Sequence, residues 1–442
     1  MSGRTSVLPT AAHLKGIFDR ICDEIEESPE AFVKHPGKDF TRRRKLGIRD
    51  VVSFITGIQG GSLKKELYDR YPSNLMTVSA FVQQRDKLKP EAFEHLFREL
   101  NDRTEGFDTV KYNGYRLYAI DGSDLNIYRN PSSDSFRPSY GEKGINQLHF
   151  NAMYDICNKT FRDCVIQPSQ KANEYEAAKT MIRRRKFRDK SIVIFDRGYP
   201  GFSLFETINR TENLDYLARA MNSFSILKNY PLEEFDVDLS IPLRTTQTNE
   251  DKEAYRSGKA IYVIGPSKFG KPKKDVQWEF ESPFTLKLRV VRFQLETGEW
   301  ETLVTSLNRF EFSIQDLKEL YHLRWGIETA FRDLKYAIGL NNFHAKREDF
   351  IIQEIFAKLF MYNFSQRIII DVVVVKSRGK YAVYQINYTY AIHMCRDFFR
   401  KGAAPPGFNR NIRMYVEPVR PGRHDERKLY PKGFVPFIYR VA

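Results

Sequence analysis

Apolar residues recur at helical spacing through the first hundred positions and give way to strand-like runs beyond residue 115. Segments 11–26, 48–58 and 91–100 each carry an apolar stripe at a period near 3.6 residues and predict amphipathic helices. Basic or turn-like stretches such as Thr41-Arg42-Arg43-Arg44-Lys45 separate them. Residues 1–105 therefore read as a basic helical module, either standing apart or capping the next domain. Next come three strand patterns at 115–121, 147–156 and 160–166, a helix at 173–186 and a fully apolar strand at 191–196. Three strands able to form a meander, then a helix, then another strand is the opening order of an RNase H-like mixed sheet. Periodicity alone allows other α/β folds as well.

Between about 220 and 308 the pattern turns strand-like and rich in Gly, Pro and Lys, with strand candidates at 260–264, 285–294 and 300–307. This predicts a β-rich insertion. Helical patterns resume at 314–338 and 349–370, and a Pro- and Arg-rich tail ends the chain.

Composition narrows the class. The 442 residues are 41% hydrophobic and 29% charged, enough for two or three folded domains and too apolar for disorder. The longest apolar stretch, 368–375, is short and interrupted by Asp371, and the first residues lack a signal peptide's apolar core. No membrane span is expected, and a cytoplasmic protein is. Cys22, Cys157, Cys164 and Cys395 are scattered and form no CxxC pair, so neither a zinc site nor a disulfide framework is suggested. The balance of 71 Lys and Arg against 56 Asp and Glu, a net charge of +15, favours a polyanionic partner, nucleic acid first, although solubility alone also selects basic surfaces. Basic runs at 183–190, 268–274 and 420–428 suit phosphate contact and a solvated face about equally.

Two strand patterns end in carboxylates. The apolar run Tyr118-Ala119-Ile120 stops at Asp121-Gly122-Ser123, and Ile192-Val193-Ile194-Phe195 stops at Asp196-Arg197-Gly198-Tyr199. Carboxylates at neighbouring strand ends lie on the rim where open α/β sheets bind ligands, and can share hard metal ions. Alone, each Asp near Gly reads equally as a turn.

The helix pattern around 321–335 adds a third carboxylate. At about 100° per residue, Tyr321, Arg324, Glu328 and Lys335 fall within a stripe about 60° wide. An apolar stripe of Leu320, Leu323, Ile327, Phe331, Leu334 and Ile338 runs beside it and predicts burial against the sheet. Glu319 and Asp333 point away from the polar stripe, and Asp316 falls on the apolar side. Gly326 inside this pattern costs about 1 kcal/mol relative to Ala, which implies a close approach or a bend.

With these residues in place, the chain resembles the DDE transposases of the bacterial insertion-sequence-four family. Tyr321-x2-Arg324-x3-Glu328-x6-Lys335 fits that family's Tyr-(2)-Arg-(3)-Glu-(6)-Lys motif. The strand-end motifs, Leu303-Val304-Thr305-Ser306-Leu307, Ser79-Ala80-Phe81 and Arg85-Asp86-Lys87 are similar to the family's too. The resemblance implies an RNase H-like catalytic domain, interrupted by a β-rich insertion and preceded by a helical N-terminal domain. The expected division is a helical DNA-binding domain at 1–105, catalytic parts at 106–219 and 309–375, the insertion at 220–308 and a basic C-terminal region at 376–442.

The resemblance further implies that Asp121, Asp196 and Glu328 bind two Mg2+ ions, with Mn2+ a possible substitute, and that Tyr321, Arg324 and Lys335 hold DNA phosphate. Family members stack a flipped base on a Trp in the insertion, and Trp278 and Trp300 are the candidates here, each equally readable as a core residue. The expected activity is cut-and-paste strand cleavage and transfer on double-stranded DNA, at terminal inverted repeats and target, by a homodimer in the bacterial cytoplasm at the nucleoid. A catalytically inactive DNA-binding relative and a metal-dependent nuclease without strand transfer are the alternatives.

Overall fold

A computed structural model describes residues 11–418 except 43–44, 74–75, 109, 139–143, 223, 228–229, 245–247, 258–260, 263–279, 281–283, 371, 373–383 and 404–406. Trp278 and the basic runs at 268–274 and 420–428 lie outside the described residues.

The N-terminal part folds as α1 (Ala11–Glu27), α2 (Ile48–Gly57), α3 (Leu63–Arg70), α4 (Val78–Arg85) and α5 (Glu91–Arg103). Ser62 and Thr77 start α3 and α4 by accepting from the backbone N–H groups of Lys65 and Ala80. These two short helices carry weak apolar stripes, so periodicity missed them.

There follow β1 (Arg116–Ile127), β2 (Phe136–Arg137), β3 (Ile145–Asp155), β4 (Thr160–Pro168), α6 (Glu174–Arg183), β5 (Ser191–Phe195), α7 (Phe202–Asn209) and β6 (Leu214–Arg219). β1 pairs antiparallel with β3, and β3 with β4, while β1, β5 and β6 run parallel to one another. The order β4-β3-β1-β5-β6, three antiparallel strands followed by parallel ones, is the RNase H-like mixed sheet.

The insertion supplies β7 (Phe235–Arg244), α8 (Asn249–Arg256), β8 (Ile261–Tyr262), β9 (Phe284–Gln294) and β10 (Trp300–Thr305). Its strands continue the same sheet: β10 pairs with β6, β9 with β10, and β7 with β9, all antiparallel. The apolar faces of β9 and β10 therefore join the core of that sheet instead of forming a second one.

The chain then forms α9 (Ile314–His322), α10 (Trp325–Tyr336), α11 (Glu348–Ile369), β11 (Tyr384–Ile386), α12 (Tyr388–Lys401), α13 (Phe408–Met414) and β12 (Val416–Pro418), with β11 and β12 paired apart from the main sheet. Helices cover both faces of the sheet. Tyr118, Ile120, Val193 and Phe195 pack with α6 and α7 on one side. Leu117, Ile192 and Ile194 meet Leu317, Leu320 and Tyr321 of α9 on the other.

Ala119, Phe150 and Ala152 share a further cluster with α10, with α11 and with α1, α2 and α5. The helical N-terminal part is therefore joined to the main sheet by a continuous core through α11, which is buried around most of its circumference. That is the arrangement of a cap. Among the described residues no helix is long and apolar enough to cross a membrane.

Candidate active site

Strand pairing decides where the first two carboxylates sit. β1 and β5 remain in parallel register up to Ile120 opposite Phe195, so Asp121 and Asp196 are the next residues on adjacent strands, about 5 Å apart laterally. β5 ends there. β1 does not: it continues to Ile127 against β3, with Asp121 opposite Ala152. Asp121 thus lies inside a strand at the point where its parallel neighbour stops, which opens the crevice that such sheets use for ligands.

The third carboxylate comes from α10. The pattern at 314–338 is not one helix, because the backbone tightens at Leu323 and Arg324, where Arg324 N–H reaches Tyr321 O at 3.1 Å and Gly326 N–H reaches Leu323 O at 3.0 Å. A Cβ at Gly326 would meet only Ile156, at 3.5 Å. A tightened turn, rather than a close approach, is what accompanies the glycine. The apolar stripe packs as expected, with Leu320, Ile327, Phe331, Leu334 and Ile338 buried and Leu323 partly so.

The polar stripe turns to the strand ends. Tyr321 donates its hydroxyl to Asp196 Oδ1 at 3.0 Å. Arg324, buried at 3% exposure, donates from Nη2 to Glu328 Oε1 at 3.0 Å and holds Nη1 3.6 Å from Asp121 Oδ2. Its Nε and Nη1 have no hydrogen-bond partner. Lys335 donates to Ser123 Oγ at 2.6 Å and to the Asp124 carbonyl at 3.2 Å, and burial lowers its ammonium's affinity for the proton. A guanidinium therefore stands among three carboxylates, with a phenol and an ammonium flanking it.

The electrostatics separate the two aspartates. Burial pushes the Asp121 carboxyl up to about 6; the Gly122 N–H and Arg324 resist this, while Glu328 and Asp196 add to it. Burial also acts on Asp196, but the Arg197 N–H, Arg324, the Tyr321 hydroxyl and Arg219 outweigh it and hold that carboxyl below the usual range. Asp121 and Glu328 pair with Arg324, while Asp196 feels Arg324 and Arg219 at longer range, so carboxylates outnumber the cations in contact with them. Among the described residues no group of three or more His, Cys, Asp or Glu side chains is placed to hold a metal ion, so Asp121, Asp196 and Glu328 do not form a ready metal cluster in this conformation.

Several neighbours went unnoticed in the sequence. Arg219, at the end of β6, pairs with Glu301 of β10 at 3.2 Å and contributes to holding Asp196 ionised. Tyr199 is buried with an unpartnered hydroxyl and feels the charges of Glu174, Asp121 and Asp196. Trp325 remains 45% exposed beside Arg324, whose guanidinium carbon lies 5.1 Å from the ring centre. Trp300 is half-buried at the start of β10 opposite Gln294, on the same sheet edge as Asp196 but two strands beyond β5, and takes no part in these contacts.

On the other face of β1, His149 is clamped by two acids. Its Nδ1 lies 2.8 Å from Asp124 Oδ1 and its Nε2 2.9 Å from Glu174 Oε1, the second an ion pair without hydrogen-bond alignment. Burial disfavours the imidazolium, yet Asp124 and Glu174 win and push its pKa up to about 9. A Cβ at Gly122 would sit 2.4 Å from His149 Nε2 and 2.7 Å from Glu174 Oε1. Gly122 is required by this clamp, not by a turn.

Because the folded pKa exceeds the unfolded value, the clamp stabilises fully below about pH 6.5 and is lost as pH rises through 9, with an expected magnitude on the order of 2 kcal/mol. Urea unfolding at pH 6 and pH 9.5 should show that loss in the native chain and not in His149→Asn; equal pH dependence in both would refute the clamp. Gly122→Ala should cost about 1–3 kcal/mol in the same assay by overpacking.

No curated protein sequence matches the chain. Among solved structures, the chain aligns with the cryo-EM structure of the piggyBac transposase synaptic complex with hairpin DNA over 96% of this chain and 88% of that one, at 14% identity and a TM-score of 0.44. The family model described as "Transposase DDE domain" matches residues 112–364, which is more than half of the 442 residues and takes in β1, β5, α10 and all three carboxylates. With that match added to the sheet order and the strand-end site, the chain belongs to the DDE-domain transposase family.

Proposed function

We propose that this chain is a cut-and-paste DNA transposase of the insertion-sequence-four type, in which Asp121, Asp196 and Glu328 form the metal-binding catalytic triad. The observation that carries the reading is the convergence of three carboxylates from β1, β5 and α10 on the single buried arginine Arg324.

The donor chemistry fits hard divalent ions. All three groups offer oxygen, as Mg2+ and Mn2+ prefer, and a site short of cations has charge to satisfy. When bound, a pair of such ions supplies an activated water or 3′-hydroxyl and a stabilised leaving oxygen for in-line displacement at phosphorus. For this, the Glu328 carboxylate has to release Arg324. The freed guanidinium then presents its planar fork to a phosphate, which an arginine grips bidentately. Lys335 offers a point charge at the end of the same stripe, and Tyr321 orients Asp196 through its hydroxyl.

In this reading the partners are double-stranded DNA at terminal inverted repeats and at a target, with two copies of the chain bridging two ends in the bacterial cytoplasm. Base stacking by Trp278 or Trp300 belongs to the same reading and rests on the family resemblance alone.

The direct experiment is Mg2+-dependent nicking by purified protein of a duplex bearing the repeats that flank its coding region, followed by transfer of the cut end into a plasmid. Nicking with transfer is expected. Nicking without transfer would make the chain a nuclease, and end binding without nicking would make it an inactive relative. A companion measurement addresses phosphate contact: Lys335→Ala should reduce the slope of log affinity against log salt by about 0.9, the effect of one lost phosphate contact, and an unchanged slope would exclude it.

A further inference from the structure

The basic run 183–190 takes no part in the catalytic edge. Six of its eight residues are Arg or Lys, against one acid, Asp189. It forms the end of α6 and the turn into β5, so the five residues of β5, about 16 Å of strand, separate it from Asp196.

This turn borders a cavity of about 380 Å³ shared with α5 and β4. Six cationic and three acidic side chains line it. Its floor is Arg162, 3% exposed, which donates to buried Asp108 at 2.8 Å and leaves its Nε without a partner. Asp108 is shared with Arg116 and Arg367, and Glu105, which approaches Arg162 at 3.7 Å, is shared with Arg185, so the guanidinium groups outnumber these two acids. The Nε of Arg185 is likewise buried and unpartnered, although its Nη2 pairs with Glu105 at 2.8 Å. At the mouth, Lys186 and Arg188 are exposed and have no acidic partner among the described residues. The cleft therefore holds surplus positive charge and open cations at its rim, while the two unpaired Nε groups lie buried behind its wall.

We propose that this cleft grips the sugar-phosphate backbone of duplex DNA, as a second DNA-contact surface on the sheet edge opposite the catalytic carboxylates. The inference rests on the transposase reading and extends it. Phosphate oxygens are acceptors only, so they match a pocket whose spare groups are donors, and arginine forks suit them better than water does. Held there, the duplex is outside the reach of Asp121 and Asp196. The contact adds affinity and register without touching the reacting strand.

The test is charge reversal at the rim, Lys186→Glu with Arg188→Glu, in the full chain, with Lys186→Gln plus Arg188→Gln as the milder pair and thermal melting to verify folding. Fluorescence anisotropy with a duplex carrying one element end and its flanking DNA should show affinity at moderate salt falling at least tenfold, and a salt slope smaller by about 1.8 for two lost phosphate contacts. Nicking at saturating protein should keep its native rate. Unchanged affinity and slope in both folded variants would overturn the proposal. So would loss of self-association with DNA affinity intact, which would make the face a subunit interface. Failure of the native chain to bind or cut DNA would instead sink the transposase reading beneath it.

Discussion

Asp196→Ala is expected to bind terminal DNA with near-native affinity and to cut it at least about a hundredfold more slowly, since loss of a metal ligand removes several kcal/mol of transition-state stabilisation. The side chain makes few structural contacts that would confound the result. It accepts from Tyr321 and lies at the end of a strand whose five residues are all buried. Asp121→Asn should behave alike, because it keeps the shape of the buried group and removes its charge. Glu328→Gln is the more informative companion: it keeps an acceptor for Arg324 but removes the opposing charge of its 3.0 Å partner, so phosphate affinity should hold or rise while cutting fails. Quantifying nicking and end binding on the same preparations checks all three. Near-native cutting by any one of them would remove that residue from the triad.

The second large effect is on stability. Arg85 and Glu354 are both fully buried, and the arginine donates to Glu354 at 3.0 Å, to Gln353 at 2.8 Å and to the Phe350 carbonyl at 2.6 Å, tying α4 to α11. Glu354 also accepts from the His344 backbone N–H at 3.0 Å. Burial works against the glutamate's charge, but Arg85, His344 and Lys358 overcome it and hold the carboxyl far below the usual range.

Glu354→Leu strands a buried guanidinium and should cost about 3–5 kcal/mol, lowering the melting temperature by about 3–5 °C. Since the folded pKa is depressed, the native contribution is complete above the unfolded value near 4.3 and fades as pH falls further, so the gap between native and variant should narrow in acid. Arg85→Leu combined with Glu354→Leu should recover part of the loss. A melting temperature unchanged by Glu354→Leu would show that the pair does not hold the cap.

That pair also shows what a motif can conceal. Arg85-Asp86-Lys87 resembles a family signature, and in the fold its arginine is a core anchor, while Asp86 pairs with Lys34 and Arg347 on the surface. The residues are structural. Sequence spacing recovered β3, β4, β5, α6 and the site-facing stripe of α10, because each alternates or repeats against one buried face.

It stopped β1 at Asp121, six residues short, since β1 beyond that point keeps only β3 as a neighbour and its buried positions thin out. It merged α9 with α10 because one tightened turn leaves the apolar stripe in phase. The His149 clamp joins residues 124, 149 and 174 from two strands and a helix, and local periodicity carries no trace of such a meeting. Of the insertion's strands, β8, β9 and β10 are legible as strands and β7 is not, and their place in the same sheet is set by the pairing of β10 with β6, eighty-odd residues apart.

The most direct measurement is a crystal structure of the chain with a DNA end and Mn2+, with the ions located by anomalous scattering. Manganese bound by Asp121, Asp196 and Glu328, with Arg324 turned from Glu328 onto a phosphate oxygen, is the result expected. Manganese bound elsewhere, or Arg324 still locked among the three carboxylates with DNA in the crevice, would contradict the assignment of this site.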